Sequence, residues 1–301
     1  MTSKKVLVTG GAGYIGAHTA VELISAGYEV VIIDNFSKSD DTLLKGIHKI
    51  VGYNPPFVRG DCLDKAFLER VFRDQGPFSC VLHFAAFKSV GESVVDPLMY
   101  YRNNVGSLVS LLEVMKSEKV TDMIFSSSCT VYGQPDMTPV DENAPFKRAE
   151  SPYGATKQMC ERILEDACPT GFRVISLRYF NPIGAHPSAH IGELPIGIPN
   201  NLVPFITQTA AKKREKLTVF GDTYNTPDGS CIRDFIHVVD VATAHVKAME
   251  YLKSKLSENS LEAFNLGTGL GVSVLKLVET FKKVTGVNIP YVIVARRPGD
   301  V

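Results

Sequence analysis

The sequence predicts a doubly wound α/β fold, a parallel sheet with helices on both faces, followed by a smaller C-terminal α/β lobe. Two observations carry this. Short β-branched runs alternate with amphipathic segments through the first 180 residues, the pattern of parallel strands joined by crossover helices. Past Asn181 the pattern breaks, because residues 182–202 are rich in proline and glycine and read as a long ordered loop leaving the sheet.

The strand-like runs are Lys5–Thr9, Glu29–Ile33, Phe57–Arg59, Cys80–Phe84, Asp122–Ser127 and Arg173–Arg178. Each is short and rich in valine, isoleucine or phenylalanine, as a strand buried on both faces should be. Helical periodicity occupies residues 14–25, 65–73, 97–118 and 153–167. In the third of these, Leu98, Tyr101, Val105, Leu108, Leu112 and Met115 recur three and four apart, so one face should pack on the sheet. Apolar residues flanking that stripe widen it enough for a second face to meet a partner subunit. Further on, residues 203–220 read as helix then strand, Val238–Lys253 as a helix and Ala263–Leu266 as a strand. The expected division is residues 1–180 as a nucleotide-binding domain and 181–301 as a substrate lobe, with part of 235–267 returning to the main sheet.

Composition narrows the function. The 301 residues are 45% hydrophobic and 21% charged, enough for a large core, and 32 basic residues balance 32 acidic ones. A neutral chain is a poor match for nucleic acid or an anionic membrane surface. No apolar run approaches the ~18 residues a spanning helix needs, and the amino-terminal "MTSKK" does not read as a secretion signal. Six cysteines without C-x-x-C spacing, and seven histidines without H-E-x-x-H, point to reduced thiols in the cytoplasm and to no metal site.

The segment "VLVTGGAGYIGAHTA" joins the first strand to the first helix. Gly10, Gly13 and Gly16 match G-x-x-G-x-x-G, the Rossmann-type loop in which glycine permits a tight turn and close backbone approach to a pyrophosphate. The helix that follows offers unpaired N–H groups and a partial positive charge to the phosphates. The second strand leads into Asp34, whose carboxylate can accept from both ribose hydroxyls and would repel a 2′-phosphate, so NAD is expected rather than NADP.

Strand Asp122–Ser127 runs into a serine-rich end, "SSSCT", at the carboxyl edge where ligands bind in such sheets. Tyr153 and Lys157, in "SPYGATK", stand one helical turn apart. Alone, that pair reads as two residues on a helix surface. Beside the glycine loop and the serine-rich strand end, it resembles the short-chain dehydrogenase/reductase superfamily.

The resemblance narrows further. "HFAAFKSVGESV", "FSSSCTVYG", "RYFNPIGAHPSAHIGELPIGIPNNL", "IRDFIHVVDVA", "FNLGTG" and "RRPGD" follow in order along the chain and resemble the UDP-glucose 4-epimerase family of the extended branch. Related sugar-nucleotide dehydratases carry an Asp-Glu pair where this chain has Cys129-Thr130. The resemblance implies an NAD-dependent isomerase of galactose metabolism, which interconverts UDP-galactose and UDP-glucose through a 4-keto sugar with NAD tightly held. It implies Ser128, Tyr153 and Lys157 as the catalytic trio. It implies cofactor contacts at Gly10, Gly13, Tyr14, Ile15, Gly16, Asp34, Asn35, Asp61, Phe84, Lys88, Asn103, Tyr153, Lys157 and Tyr179. The UDP-sugar would meet Ser128, Tyr153, Asn181, Asn201, Leu202, Phe220, Arg233, Arg297 and Asp300. Bottom-up chemistry agrees for Arg233 and Arg297, since a diphosphate favours fixed cationic forks.

A homodimer through helices 97–118 and 153–167 is also implied. Lys157 and the positively charged nicotinamide together are expected to lower the pKa of Tyr153. Two departures stand out: Ala86-Phe87 replaces a usual Gly-Leu, and Cys129 replaces a usual alanine, where a small buried thiol is expected to be inert. The family pattern continues past Val301, so a truncated chain is expected, and the position that limits N-acetylated sugars would lie beyond its end. The alternatives are a 4-epimerase of another UDP-sugar, such as a UDP-N-acetylhexosamine or UDP-pentose, and an inactive NAD-binding regulator on the same fold.

Overall fold

Seven parallel strands form the main layer of the computed structural model, which describes residues 4–296. In chain order the first half runs β1 (Lys5–Thr9), α1 (Tyr14–Ser25), β2 (Glu29–Asp34), α2 (Thr42–Val51), β3 (Phe57–Arg59), α3 (Lys65–Gln75) and β4 (Cys80–His83). Then come α4 (Val90–Val95), α5 (Pro97–Tyr100), α6 (Gly106–Ser117), β5 (Asp122–Ser128), α7 (Pro152–Ala167) and β6 (Arg173–Tyr179). The remainder is β7 (Asn181–Ile183), α8 (Leu202–Ala210), β8 (Leu217–Phe220), β9 (Ile232–His237), α9 (Val238–Ser254), β10 (Leu261–Leu266), β11 (Gly271–Ser273), α10 (Val274–Thr285) and β12 (Tyr291–Val294).

The sheet order is β10-β6-β5-β4-β1-β2-β3. The chain reverses direction across the sheet between β1 and β4, and the crevice at their carboxyl ends is where such folds bind ligands. Alternation along β1 explains the two cores. Val6 and Val8 point to one face and pack with Ala17, Leu23, Ile47 and Met249 from α1, α2 and α9. Leu7 points to the other and packs with Phe67, Leu68, Leu111 and Leu164 from α3, α6 and α7. β10 pairs with β6, and α9 packs against α1, so this late segment does rejoin the main sheet.

The remaining C-terminal strands form a three-stranded sheet, β11-β9-β7, and a two-stranded one, β12-β8. A small separate core of Ile206, Leu217, Val219, Val278 and Ile289 lies beneath the latter.

The long helix expected over 97–118 is not continuous. A π turn at Tyr101–Val105 separates α5 from α6. The extra residue turns Asn104 inward, where Oδ1 accepts from Phe87 N (2.8 Å) and Nδ2 donates to Phe87 O and Thr156 Oγ1, both at 3.0 Å. That break also ends the expected apolar stripe early. Leu108, Leu112 and Met115 are buried, but Leu98 is 77% exposed. No helix among the described residues is long and apolar enough to cross a membrane.

Candidate active site

The glycine loop closes against β4. Gly10 has φ +68°, and a Cβ there would lie 2.7 Å from Ala85 N, so only glycine fits without strain. A Cβ on Gly16 would strike the Gly10 carbonyl, which lets α1 start immediately behind the turn. Gly13 caps α1 with no side-chain hydrogen bond, leaving the first-turn N–H groups for a ligand. Tyr14 and Ile15 open that helix, and the Tyr14 hydroxyl is spent on Gly184 O at 2.7 Å.

Asp34 stands beside the loop. Its carboxylate accepts from Ala12 N (3.2 Å), Phe36 N (2.9 Å) and Ser39 Oγ (2.9 Å), which fixes it at the tip of β2 with lone-pair capacity remaining. Next to it Asn35 Nδ2 donates to Asp61 Oδ2 at 2.9 Å. An uncapped helix start, a glycine turn too tight for side chains and a fixed carboxylate one strand away fit the phosphates and a ribose of a dinucleotide.

Of the other residues expected at the cofactor, Phe84 sits partly buried at the end of β4, tilted against the His245 ring 4.8 Å away. Lys88 pairs with Glu193 at 3.1 Å, and Asn103 donates to Asn104 Oδ1 at 3.0 Å. Tyr179 is buried, with its hydroxyl 2.6 Å from His245 Nε2; His245 Nδ1 lies 2.7 Å from Val241 O and so carries the ring proton.

The trio comes from two neighbouring elements. Ser151 caps α7 by accepting from Gly154 N (3.1 Å), and Pro152 takes the first helical position, so Tyr153 falls in the first turn. Ser128 ends β5, where its Oγ accepts from Thr130 N and it hydrogen-bonds the Tyr153 phenol. Lys157 is buried one turn below Tyr153. Its Nζ donates to Ser126 O at 2.6 Å and lies 4.8 Å from the centre of the Phe125 ring.

Burial pushes the Tyr153 phenol up to about 12, and the hydrogen bond from Ser128 offsets only part of that. The Lys157 ammonium is directed at the Ser126 carbonyl. Burial also brings Lys157 down to about 8, against the opposing pull of Cys160 and Glu161, so it stays cationic at neutral pH. Burial holds Cys129 up at about 11 despite Arg233, in keeping with an inert thiol.

Toward the substrate side, β7 pairs with β9, and Asn181 Nδ2 donates to Asp234 O at 2.9 Å. Arg233, on β9, lies close enough to influence Cys129, the residue after Ser128. Asn201 bonds Glu193, the same carboxylate that holds Lys88, and Leu202 opens α8. Phe220 is 39% exposed at the end of β8. Arg297 and Asp300 lie outside the described residues.

Sequence reading missed Asn104, Ser127, Glu161 and Arg178, all buried polar groups adjoining the trio. The available signal was a charged or polar residue at a helix position otherwise facing the sheet, such as Glu161 four residues after Lys157.

A dinucleotide loop, a strand-end serine and a Tyr-x-x-x-Lys helix are the site of an enzyme of the short-chain dehydrogenase/reductase type. Comparison agrees: residues 6–267 match the model of the NAD dependent epimerase/dehydratase family, and the chain belongs to that family. It is 49% identical to the UDP-glucose 4-epimerase of Bacillus subtilis over 98% of this chain and 86% of that one. Its fold superposes with a TM-score of 0.94 on the UDP-glucose 4-epimerase of Bifidobacterium longum, solved with NAD+ and UDP, at 44% identity over 99% of this chain and 88% of that one. A UDP-Glc/GlcNAc 4-epimerase from Campylobacter jejuni is more distant, with a TM-score of 0.82 and 37% identity over 99% of this chain and 88% of that one.

Proposed function

We propose that this chain interconverts UDP-galactose and UDP-glucose by NAD-dependent oxidation and re-reduction at C4. The observation that carries the reading is the meeting of Ser128, Tyr153 and Lys157 at the end of β5, beside a glycine loop built for a dinucleotide. NAD, when bound, supplies the hydride acceptor and donor and a further positive charge. Tyr153 Oη takes the proton of the sugar 4-hydroxyl and later returns one. Ser128 Oγ donates to the 4-oxygen as charge develops there. Lys157, cationic at neutral pH, stabilises the phenolate that forms. Arg233 and Asn181 hold the diphosphate, so the hexose can present its other face to the fixed nicotinamide site while the nucleotide stays anchored.

Given UDP-galactose and no added NAD, the purified protein should form UDP-glucose with no net NADH. NADH accumulation would instead indicate a dehydrogenase.

Asp34 carries the cofactor preference. In Asp34→Ala, loss of a charge-assisted hydrogen bond worth about 1.5–3 kcal/mol should weaken NAD binding roughly 10- to 100-fold, and NADP should lose less. Titration of the NAD-free protein with each nucleotide checks this, and an unchanged NAD Kd would remove Asp34 from the site.

The protein is further proposed to be a cytoplasmic homodimer. Val94, Leu98, Val109 and Met159, from α4 to α7, are exposed and offer the apolar patch such an association needs. Sedimentation as a monomer at micromolar concentration would exclude it.

A further inference from the structure

Tyr153, Lys157 and Glu161 follow one another at four-residue spacing on α7 and so share one face. The first two adjoin the reacting centre. Glu161 lies a turn deeper, 4% exposed, and no step above uses it.

Its carboxylate is fully engaged. Arg178, on β6, donates to it from Nε (3.0 Å) and Nη2 (2.7 Å), and Ser127 Oγ donates to Oε1 at 2.5 Å. Ser127 immediately precedes Ser128. The remaining Arg178 nitrogen, Nη1, donates to Tyr132 Oη at 2.8 Å, and that hydroxyl donates to Asn265 Oδ1 at 2.7 Å. Tyr132 closes the 3-10 turn that begins just after Ser128. The guanidinium also lies 5.1 Å from the Tyr132 ring centre and 4.9 Å from that of Phe146. The pair therefore grips the backbone on both sides of Ser128 and ties it to the helix that carries Tyr153.

A buried ion pair adds little stability over a well-packed apolar pair of the same volume. What leucines or methionines could not supply is direction: hydrogen bonds that set the end of β5 against α7 at a fixed height and rotation. We propose that Glu161 and Arg178, acting through Ser127 and Tyr132, are positioning residues that hold Ser128 in register with Tyr153. The inference rests on the epimerase reading for what Ser128 and Tyr153 do, but the tether itself is a property of the fold.

Two variants separate positioning from simple stability. Ser127→Ala cuts the link to β5 and leaves the Arg178–Glu161 bonds intact. It should melt within a few degrees of the parent, yet lose about tenfold in kcat with KM for UDP-galactose within about twofold, as misplacement of a reacting group requires. Amide hydrogen exchange across residues 126–132 should speed up in the same variant. Glu161→Gln keeps an acceptor for Ser127 but leaves Arg178 without its counter-charge, so it should melt lower while retaining kcat within about threefold. A merely structural role gives the opposite split, with kcat per folded molecule normal in Ser127→Ala. Parental kcat and parental exchange in Ser127→Ala would overturn the proposal. If Glu161→Gln fails to fold, the Ser127→Ala results decide alone. Should the parent protein not epimerise UDP-galactose, the functional reading fails, and hydrogen exchange in Ser127→Ala still decides the tether.

Discussion

Tyr153→Phe should lower kcat for UDP-galactose about 10³-fold while leaving the fold and bound NAD intact. The substitution removes one oxygen from a half-buried side chain. Positioned acid–base groups contribute about 10²–10⁴ in rate, and the phenol is the group proposed to exchange a proton with the sugar 4-hydroxyl. Its environment sharpens the expectation. Burial is the main cause holding the phenol up at about 12, which disfavours a phenolate before ligand binds. Ionisation must instead accompany ligand binding, with cationic Lys157 a turn away and Ser128 hydrogen-bonded to the ring oxygen. Rates of the parent and variant, measured at saturating substrate on protein with matched NAD content, check this. A variant within tenfold of the parent would remove Tyr153 from the chemistry.

The second large effect is on stability. Arg178→Met should cost about 3–5 kcal/mol in urea unfolding at pH 7, because it strands the Glu161 carboxylate in a buried site. The double change Glu161→Met with Arg178→Met should recover most of the loss. A cost below about 1 kcal/mol in Arg178→Met would mean that the pair is better solvated than its 4% and 7% side-chain exposures indicate.

Much of the nucleotide half was legible in the sequence because its signals are local. A β-branched run, a glycine turn and a helix are contiguous in residues 5–25, and Asp34 marks the end of the next strand. Tyr153 and Lys157 stand out only beside the glycine loop and the serine-rich strand end, with Ser151 and Pro152 as a readable helix start. The missed elements lacked such signals. α2 carries a weak helix former, Gly46, in its middle; β7 opens the stretch whose prolines and glycines read as loop, and β9 and β11 are short strands of mixed sequence. The π turn at Tyr101–Val105 follows from tertiary demands on Asn104, which serves Phe87 and Thr156 at once.

The same limit applies at the site. Ser127, Glu161 and Arg178 lie 17 to 51 residues apart and meet only because β5, β6 and α7 are neighbours in space. The raised pKa of Tyr153 is likewise a consequence of burial, which spacing does not encode. Spacing puts Lys157 one helical turn from Tyr153 but could not show that its ammonium points to the Ser126 carbonyl.

The most direct measurement follows the hydrogen at C4. UDP-galactose deuterated at C4 should be converted, in ordinary water and without added NAD, to UDP-glucose that keeps its deuterium, because that hydrogen leaves and returns as hydride within one closed site. Loss of the label to solvent during conversion would show that C4 is inverted by proton exchange or by water, and would contradict the proposed chemistry at its centre.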